Sequence, residues 1–242
     1  MKPTIHVVFF DLGNTLIYEK DPWRPFYERA DKTLLDVLNK AGLNTDKQMY
    51  HGFRGLLDLY YHRRADKTME ETTFVLLKEL LEEQGNHNVS DEILHNALRA
   101  MYKVTQENWH IETDAISTLR ALKEKGYPLG IISNSSDDEN TRTLIDKDGI
   151  RPYLDWSISS AAFGKRKPHL AIFNAALQHF GVSAGQAAMV GDTFEADIVG
   201  AHQAGMASIW ITRRVRITVP RSNIQPGAVV STLSEIPALL SA

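Results

Sequence analysis

Two textures alternate along this chain. Residues 4–10 form a short apolar run with β-branched members that stops at Asp11, the pattern of a buried parallel strand. From about 22 to 110 that texture gives way to apolar residues at helical spacing. Leu34, Leu35, Val37 and Leu38 are followed by Phe53, Leu56, Leu57, Leu59 and Tyr60, and then by Phe74, Leu76, Leu77, Leu80 and Leu81. A fourth set, Ile93, Leu94, Ala97, Leu98 and Met101, follows Ser90-Asp91, with Ser90 a predicted N-cap. Gly42, Gly85 and Asn86 punctuate the series, so the spacing predicts a block of about four helices.

After Thr113 helix and strand patterns alternate. Helices are predicted around 113–125, 138–148 and 168–180, each stopped at or near a glycine (Gly126, Gly149, Gly181), with a short one running to Ala204 before Gly205. Strands are predicted at 127–132, 156–158, 187–190 and 207–211, with a further one at 228–230 and a terminal helix from Ser234. This alternation predicts an α/β fold with a doubly wound parallel sheet. The helical block falls between its first strand and the rest, so it is an insertion: 19–110 against a core of 1–18 and 111–242. The stretch from Arg213 to Pro226, with Arg214, Arg216 and Arg221, reads as an exposed loop, the alternative being a basic binding edge.

Composition narrows the setting. The 242 residues are 43% hydrophobic and 24% charged, ordinary for a globular protein large enough for one domain plus an insertion. A formal charge of -3 offers no attraction for nucleic acid or an anionic membrane. There is no cysteine, hence no disulfide and no thiolate metal site. No stretch approaches the length of a membrane span, and the N-terminal run lacks the organisation of a secretory signal. The expectation is a cytoplasmic protein, a monomer or homodimer, without membrane or nucleic-acid partners.

The chemistry gathers at predicted strand ends. In open parallel sheets ligands bind at the carboxyl ends of the strands. Asp11, Ser133 and Asp192 each follow a predicted strand, and Lys167-Pro168 precedes a helix. Each has a bland reading: Asp11 a turn or cap residue, Ser133 part of turn-prone Ser133-Asn134-Ser135-Ser136, Lys167 a solvated charge beside Lys165 and Arg166, Asp197 a polar position in a short helix. Taken together they suit a phosphate ester. A carboxylate such as Asp11 can attack phosphorus or ligate a metal, or both. Asp11 and Asp192, with a backbone carbonyl of the Asp11 loop, would hold Mg²⁺. Ser133 and neighbouring amides would donate to phosphate oxygens, and Lys167 would add positive charge. Asp197 would be a metal ligand or would hold Lys167 or a metal-bound water.

In this order and spacing, these segments resemble the haloacid dehalogenase superfamily. The first motif matches at Asp11 and Thr15 within Phe10-Asp11-Leu12-Gly13-Asn14-Thr15-Leu16, the second at Ser133 and Asn134, the third at Lys167-Pro168. The fourth spans Val190-Gly191-Asp192-Thr193-Phe194-Glu195-Ala196-Asp197-Ile198, followed by Gly200-Ala201. The resemblance implies a Rossmann-like core with a helical cap inserted after the first motif. It implies Asp11 as nucleophile, Asp11, the Gly13 carbonyl and Asp192 as Mg²⁺ ligands, Ser133, Asn134 and Lys167 as the phosphate cradle, and Thr15 and Asp197 in support. It also implies a small phosphorylated substrate.

One position departs from the family pattern. Phosphatases of the superfamily usually carry Asp where this chain has Gly13, as the proton carrier for the leaving group and the attacking water. General acid–base help of that kind is worth about 10²–10⁴ in rate. His51, His62 and Glu19 are candidate substitutes, and Arg24, Arg63 and Arg64 are candidate contacts for an anionic group. The leading expectation is therefore a Mg²⁺-dependent phosphatase slowed by Gly13. The alternatives are phosphoryl transfer, metal-independent 2-haloacid dehalogenation, and a silent phosphate-binding protein.

Overall fold

A computed structural model describes residues 4–45, 47–63, 68–215 and 223–240. The chain runs β1 (Val7–Phe10), β2 (Ile17–Glu19), then four helices, α1 (Trp23–Lys40), α2 (Lys47–Arg63), α3 (Thr73–Glu83) and α4 (Asp91–Gln106). It returns through β3 (Trp109–Ile111) to α5 (Ala115–Glu124), β4 (Leu129–Ser133), α6 (Asp138–Lys147), β5 (Trp156–Ser159), α7 (Ser160–Phe163) and α8 (Leu170–Phe180). The last third holds β6 (Ala187–Gly191), a π-helical turn at Phe194–Val199, α9 (Gly200–Gln203), β7 (Ala207–Ile211), β8 (Ala228–Val230) and α10 (Ile236–Leu239).

Six parallel strands form the main sheet in the order β5-β4-β1-β6-β7-β8. The chain leaves β1 toward β4 and β5, then crosses to the other side of β1 for β6, β7 and β8. That reversal makes β1 the switch point of a doubly wound sheet, where a crevice opens beyond the strand ends. Successive side chains of β1 point to opposite faces. Val8 and Phe10 join one apolar layer with Leu119, Leu122, Ile145 and Ile236, while Val7 and Phe9 join the other with Ile172, Phe173 and Leu177.

The four helices have a third apolar core of their own, built from Leu34, Leu38, Phe53, Leu77, Leu81, Leu94 and Leu98 among others. Ser90 caps α4 as its sequence predicts, its hydroxyl accepting from the Ile93 amide at 3.4 Å. The block is joined to the sheet by a feature absent from the sequence reading. β2 and β3 pair antiparallel, Ile17 opposite Ile111 and Glu19 opposite Trp109, to make a two-stranded stem. Three residues per strand are too few for period-two alternation to show in the sequence.

The Arg213–Pro226 stretch also differs from expectation at its start. Arg213 Nη1 reaches Glu112 at 2.8 Å and Asp114 at 2.7 Å, and Arg214 Nε reaches Glu112 at 2.6 Å. The Arg214 guanidinium also lies over the Tyr18 ring, 3.7 Å from its centre. These two arginines tie the stem to the sheet and are not a solvated edge; Arg216 and Arg221 lie outside the described residues. No helix among the described residues is long and apolar enough to cross a membrane.

Packing leaves no room for a side chain where β4 meets β1. A Cβ on Gly130 would lie 2.8 Å from the Phe9 ring. Gly130→Ala is therefore expected to lower the unfolding free energy by about 1–3 kcal/mol through overpacking, read as an earlier urea midpoint with an unchanged m-value.

Candidate active site

Three neighbouring strands, β4, β1 and β6, deliver the polar groups to one edge. Asp11 follows β1 directly, its amide donating to the Val190 carbonyl at 2.8 Å. The chain then turns on Leu12, whose carbonyl receives the Leu16 and Ile17 amides at 2.9 and 3.0 Å. Asn14 takes the left-handed conformation in this turn, φ +58°, which asparagine tolerates better than most side chains. Thr15 is buried beneath it, and its hydroxyl has no hydrogen-bond partner among the described residues.

Lys167 occupies the centre. Its Nζ donates to Asp11 Oδ1 at 2.7 Å, Asp197 Oδ1 at 2.6 Å and the Ile132 carbonyl at 2.6 Å. All three ammonium donors are thereby used by the protein itself. Asn134 braces the same residue, its Oδ1 accepting from the Lys167 amide at 2.8 Å and its Nδ2 donating to the Lys167 carbonyl at 2.9 Å. Asp197 is completely buried, and its Oδ2 accepts from the Thr193 amide at 3.0 Å. Gly191 makes this possible, because a Cβ there would lie 2.3 Å from the Asp197 carboxylate. Ser133 closes β4 with its side chain buried, and Asp192 follows β6 half-buried, its carbonyl held by Trp210 Nε1 at 2.9 Å.

One ammonium faces three carboxylates. Ligand oxygens of Asp11, Asp192 and Asp197 all lie within 4.8 Å of one another. Burial pulls the Lys167 ammonium down, but the Asp11 and Asp197 charges outweigh it and its pKa is raised. Asp192 is pushed up to about 8, by burial first and then by the charges of Asp11 and Asp197. Asp197 is pushed up to about 6, by burial and by Asp11, against the opposing pull of Lys167. Hard oxygen donors in this number, with negative charge in excess, fit a divalent cation such as Mg²⁺.

Position 13 is covered by an aromatic ring. A Cβ built on Gly13 would meet Trp109 Cη2 at 3.4 Å and Cζ3 at 3.6 Å, ordinary contact distances. The indole arrives from β3, so the stem places an apolar wall where a proton carrier would stand.

Residues 5–205 match the haloacid dehalogenase-like hydrolase family. The chain belongs to this family. It is 33% identical over 214 residues to a glyceraldehyde 3-phosphate phosphatase of Methanothermobacter thermautotrophicus, covering 86% of this chain and 85% of that one. It is 38% identical over 208 residues to a glyceraldehyde 3-phosphate phosphatase of Pyrococcus abyssi, covering 85% and 81%. Among solved structures, a 2-haloacid dehalogenase from Pseudomonas syringae pv. Tomato DC3000 superposes with a TM-score of 0.67 at 27% identity, covering 98% of each chain.

In this haloacid dehalogenase-like hydrolase the crevice brings Asp11, Lys167, Asp192 and Asp197 together, with Ser133 and Asn134 on the adjoining strand end. The candidate substitutes for an acid at position 13 are elsewhere engaged or undescribed. Glu19 accepts the Tyr27 hydroxyl at 3.2 Å, and His51 lies on the exposed side of α2. Arg24 is exposed and pairs with Glu28. Arg64 and the side chains of His62 and Arg63 lie outside the described residues. Sequence reasoning missed Trp109 and the Ile132 carbonyl, neither of which carries a local signal. The place of Gly191 was visible in its motif, although its steric reason was not.

The raised carboxylates set a pH dependence. A carboxyl whose folded pKa is raised binds a proton more tightly when folded, so its stabilising effect is full below about 4 and is lost as pH rises through the folded value. Chelated hydrolase is therefore expected to lose thermal stability progressively between about pH 4 and 8, the interval over which Asp192 keeps its proton in the fold but not in the unfolded chain. Mg²⁺ is expected to restore it, and Asp192→Asn to flatten the slope. Melting temperatures across this range, with and without Mg²⁺, check all three.

Proposed function

We propose that this hydrolase is a Mg²⁺-dependent phosphatase of small phosphate monoesters that works through an aspartyl-phosphate on Asp11. The observation that carries the reading is Lys167 Nζ held between Asp11 and Asp197, beside the half-buried Asp192. The phosphatase names of the relatives from Methanothermobacter thermautotrophicus and Pyrococcus abyssi support the same class, and three-carbon sugar phosphates are the first substrates to try.

Lys167 pins Asp11 through Oδ1 and so orients the carboxylate toward phosphorus. Asp11, the Gly13 carbonyl and Asp192 would hold the cation, and Asp197 keeps Lys167 in place. A bound Mg²⁺ supplies charge that lets a carboxylate approach a phosphate dianion. Ser133 and the amides of its loop donate to phosphate oxygens. The Asp11 carboxylate forms the new P–O bond while the ester oxygen leaves with the bonding pair. Water then cleaves the aspartyl-phosphate and regenerates Asp11. We assign α1 to α4 the role of a cap that supplies substrate contacts.

With Gly13 beneath Trp109, the leaving oxygen receives no proton from that position. Turnover then depends steeply on the leaving group. Dehalogenation is the second reading, favoured by the Pseudomonas syringae neighbour and by the missing carboxylate at position 13. Asp192 weighs against it, because a metal-free reaction has no use for a third carboxylate gathered beside Asp11 and Asp197.

Mg²⁺-dependent hydrolysis of p-nitrophenyl phosphate is expected in the wild type, reduced by roughly 10⁴-fold or more in Asp11→Asn. Gly13→Asp is expected to raise the rate on alkyl phosphates by up to about 10²–10⁴ while changing the aryl ester far less. Halide release from 2-chloropropionate without metal, with no phosphate release from either ester, would replace this reading with dehalogenation.

A further inference from the structure

Glu70 lies between α2 and α3, in the helical block, and the reaction as drawn does not use it. Its side chain is completely buried and faces Arg166, the residue before Lys167. Arg166 Nη1 lies 2.7 and 2.6 Å from the two carboxylate oxygens, which share one of its protons, and donates the other to the Tyr60 hydroxyl at 2.6 Å. Tyr60 in turn donates to Glu70 at 2.8 Å. Burial raises the Tyr60 pKa, which keeps the phenol protonated for that bond.

The second Glu70 oxygen serves the other side of the site by accepting from the Ser160 hydroxyl. Ser160 Oγ also receives the Ser135 amide at 2.9 Å and lies 3.1 Å from the Ser135 carbonyl. A hydroxyl has one proton, and the carboxylate is the stronger acceptor for it, so Ser160 presents its lone pairs to the Ser135 amide. Ser135 belongs to the loop that follows Ser133.

The strand of chain around Glu70 lies across the same two loops. The Arg166 amide donates to the Thr68 carbonyl at 2.8 Å and the Glu70 amide to the Gly164 carbonyl at 3.1 Å. Thr73 binds Ser136 twice, backbone to backbone at 3.0 Å and hydroxyl to hydroxyl at 2.9 Å.

We propose that Glu70 is a positioning residue that sets both arms of the phosphate cradle, the Lys167 arm through Arg166 and the Ser133–Ser136 arm through Ser160. What the cradle holds rests on the phosphatase reading; the linkage itself does not. The carboxylate belongs to the helical block, so the two arms take their working spacing only while that block is docked on the sheet.

Residue-level amide exchange and p-nitrophenyl phosphate kinetics on Glu70→Gln, Ser160→Ala and Arg99→Ala test this. Arg99 pairs with Glu139 across the same two parts of the chain and is exposed, so it serves as the control. Ser160→Ala is expected to speed exchange at Ser135 roughly fivefold to tenfold and leave Arg166 and Lys167 unchanged. Glu70→Gln is expected to speed exchange in both loops, leave β6 protected, and lower kcat/KM by up to about 10²-fold. Arg99→Ala is expected to do neither. Unchanged exchange in both loops of Glu70→Gln, or faster exchange spread equally over β6, overturns the proposal. Should Glu70→Gln fail to fold, unchanged Ser135 exchange in Ser160→Ala overturns it alone. A wild type that shows the exchange pattern yet leaves phosphate esters intact sinks the phosphatase reading and keeps the positioning role.

Discussion

A buried ammonium is costly unless its charge and all three donors are met, and Lys167 meets this condition with groups from three parts of the chain. Asp11 comes from the end of β1, Ile132 from β4 and Asp197 from the π-helical turn after β6. The lysine thus fixes the relative positions of the three strands that form the crevice. The dependence runs both ways. Removing either carboxylate leaves the ammonium under-compensated, at a cost of about 3–5 kcal/mol for breaking such a pair. Removing the lysine leaves three carboxylates facing one another.

The centre of the sheet was legible because β1, β4 and β6 are buried on both faces and therefore read as apolar runs closed by glycine or a polar residue. The four helices were legible from their stripe of leucines. Asp11, Ser133, Asp192 and Lys167 could be grouped because strand ends in a doubly wound sheet share an edge, whatever their separation in sequence. What escaped the sequence has a common character. β2 and β3 are too short for periodicity, and Trp109 looks like any other half-buried aromatic. Glu70 owes its burial to Arg166, nearly a hundred positions away, and Arg213 and Arg214 owe theirs to Glu112 and Asp114. Partnerships of that kind leave no mark on either segment alone.

The helical block meets the site at two separate places. The stem lays Trp109 over Gly13, and the segment around Glu70 grips the loops that carry Ser133 and Lys167. One contact removes a polar function from the crevice, and the other stiffens it. The block therefore bears on the chemistry through the shape and charge of the surrounding protein even before any substrate contact is considered.

The wide turn at Phe194–Val199 has a consequence of its own. Asp197 folds back on Thr193, amide to carbonyl at 2.8 Å and carboxylate to amide at 3.0 Å, and from there its other oxygen reaches Lys167. Each residue of a helical turn rotates the side chain by about 100°, so adding or removing one residue between Asp192 and Asp197 would swing the carboxylate away from the ammonium. The stretch between Asp192 and Asp197 thus acts as a spacer of fixed length. Within it Phe194 has a contact of its own, edge-on against the Trp210 ring that holds the Asp192 carbonyl.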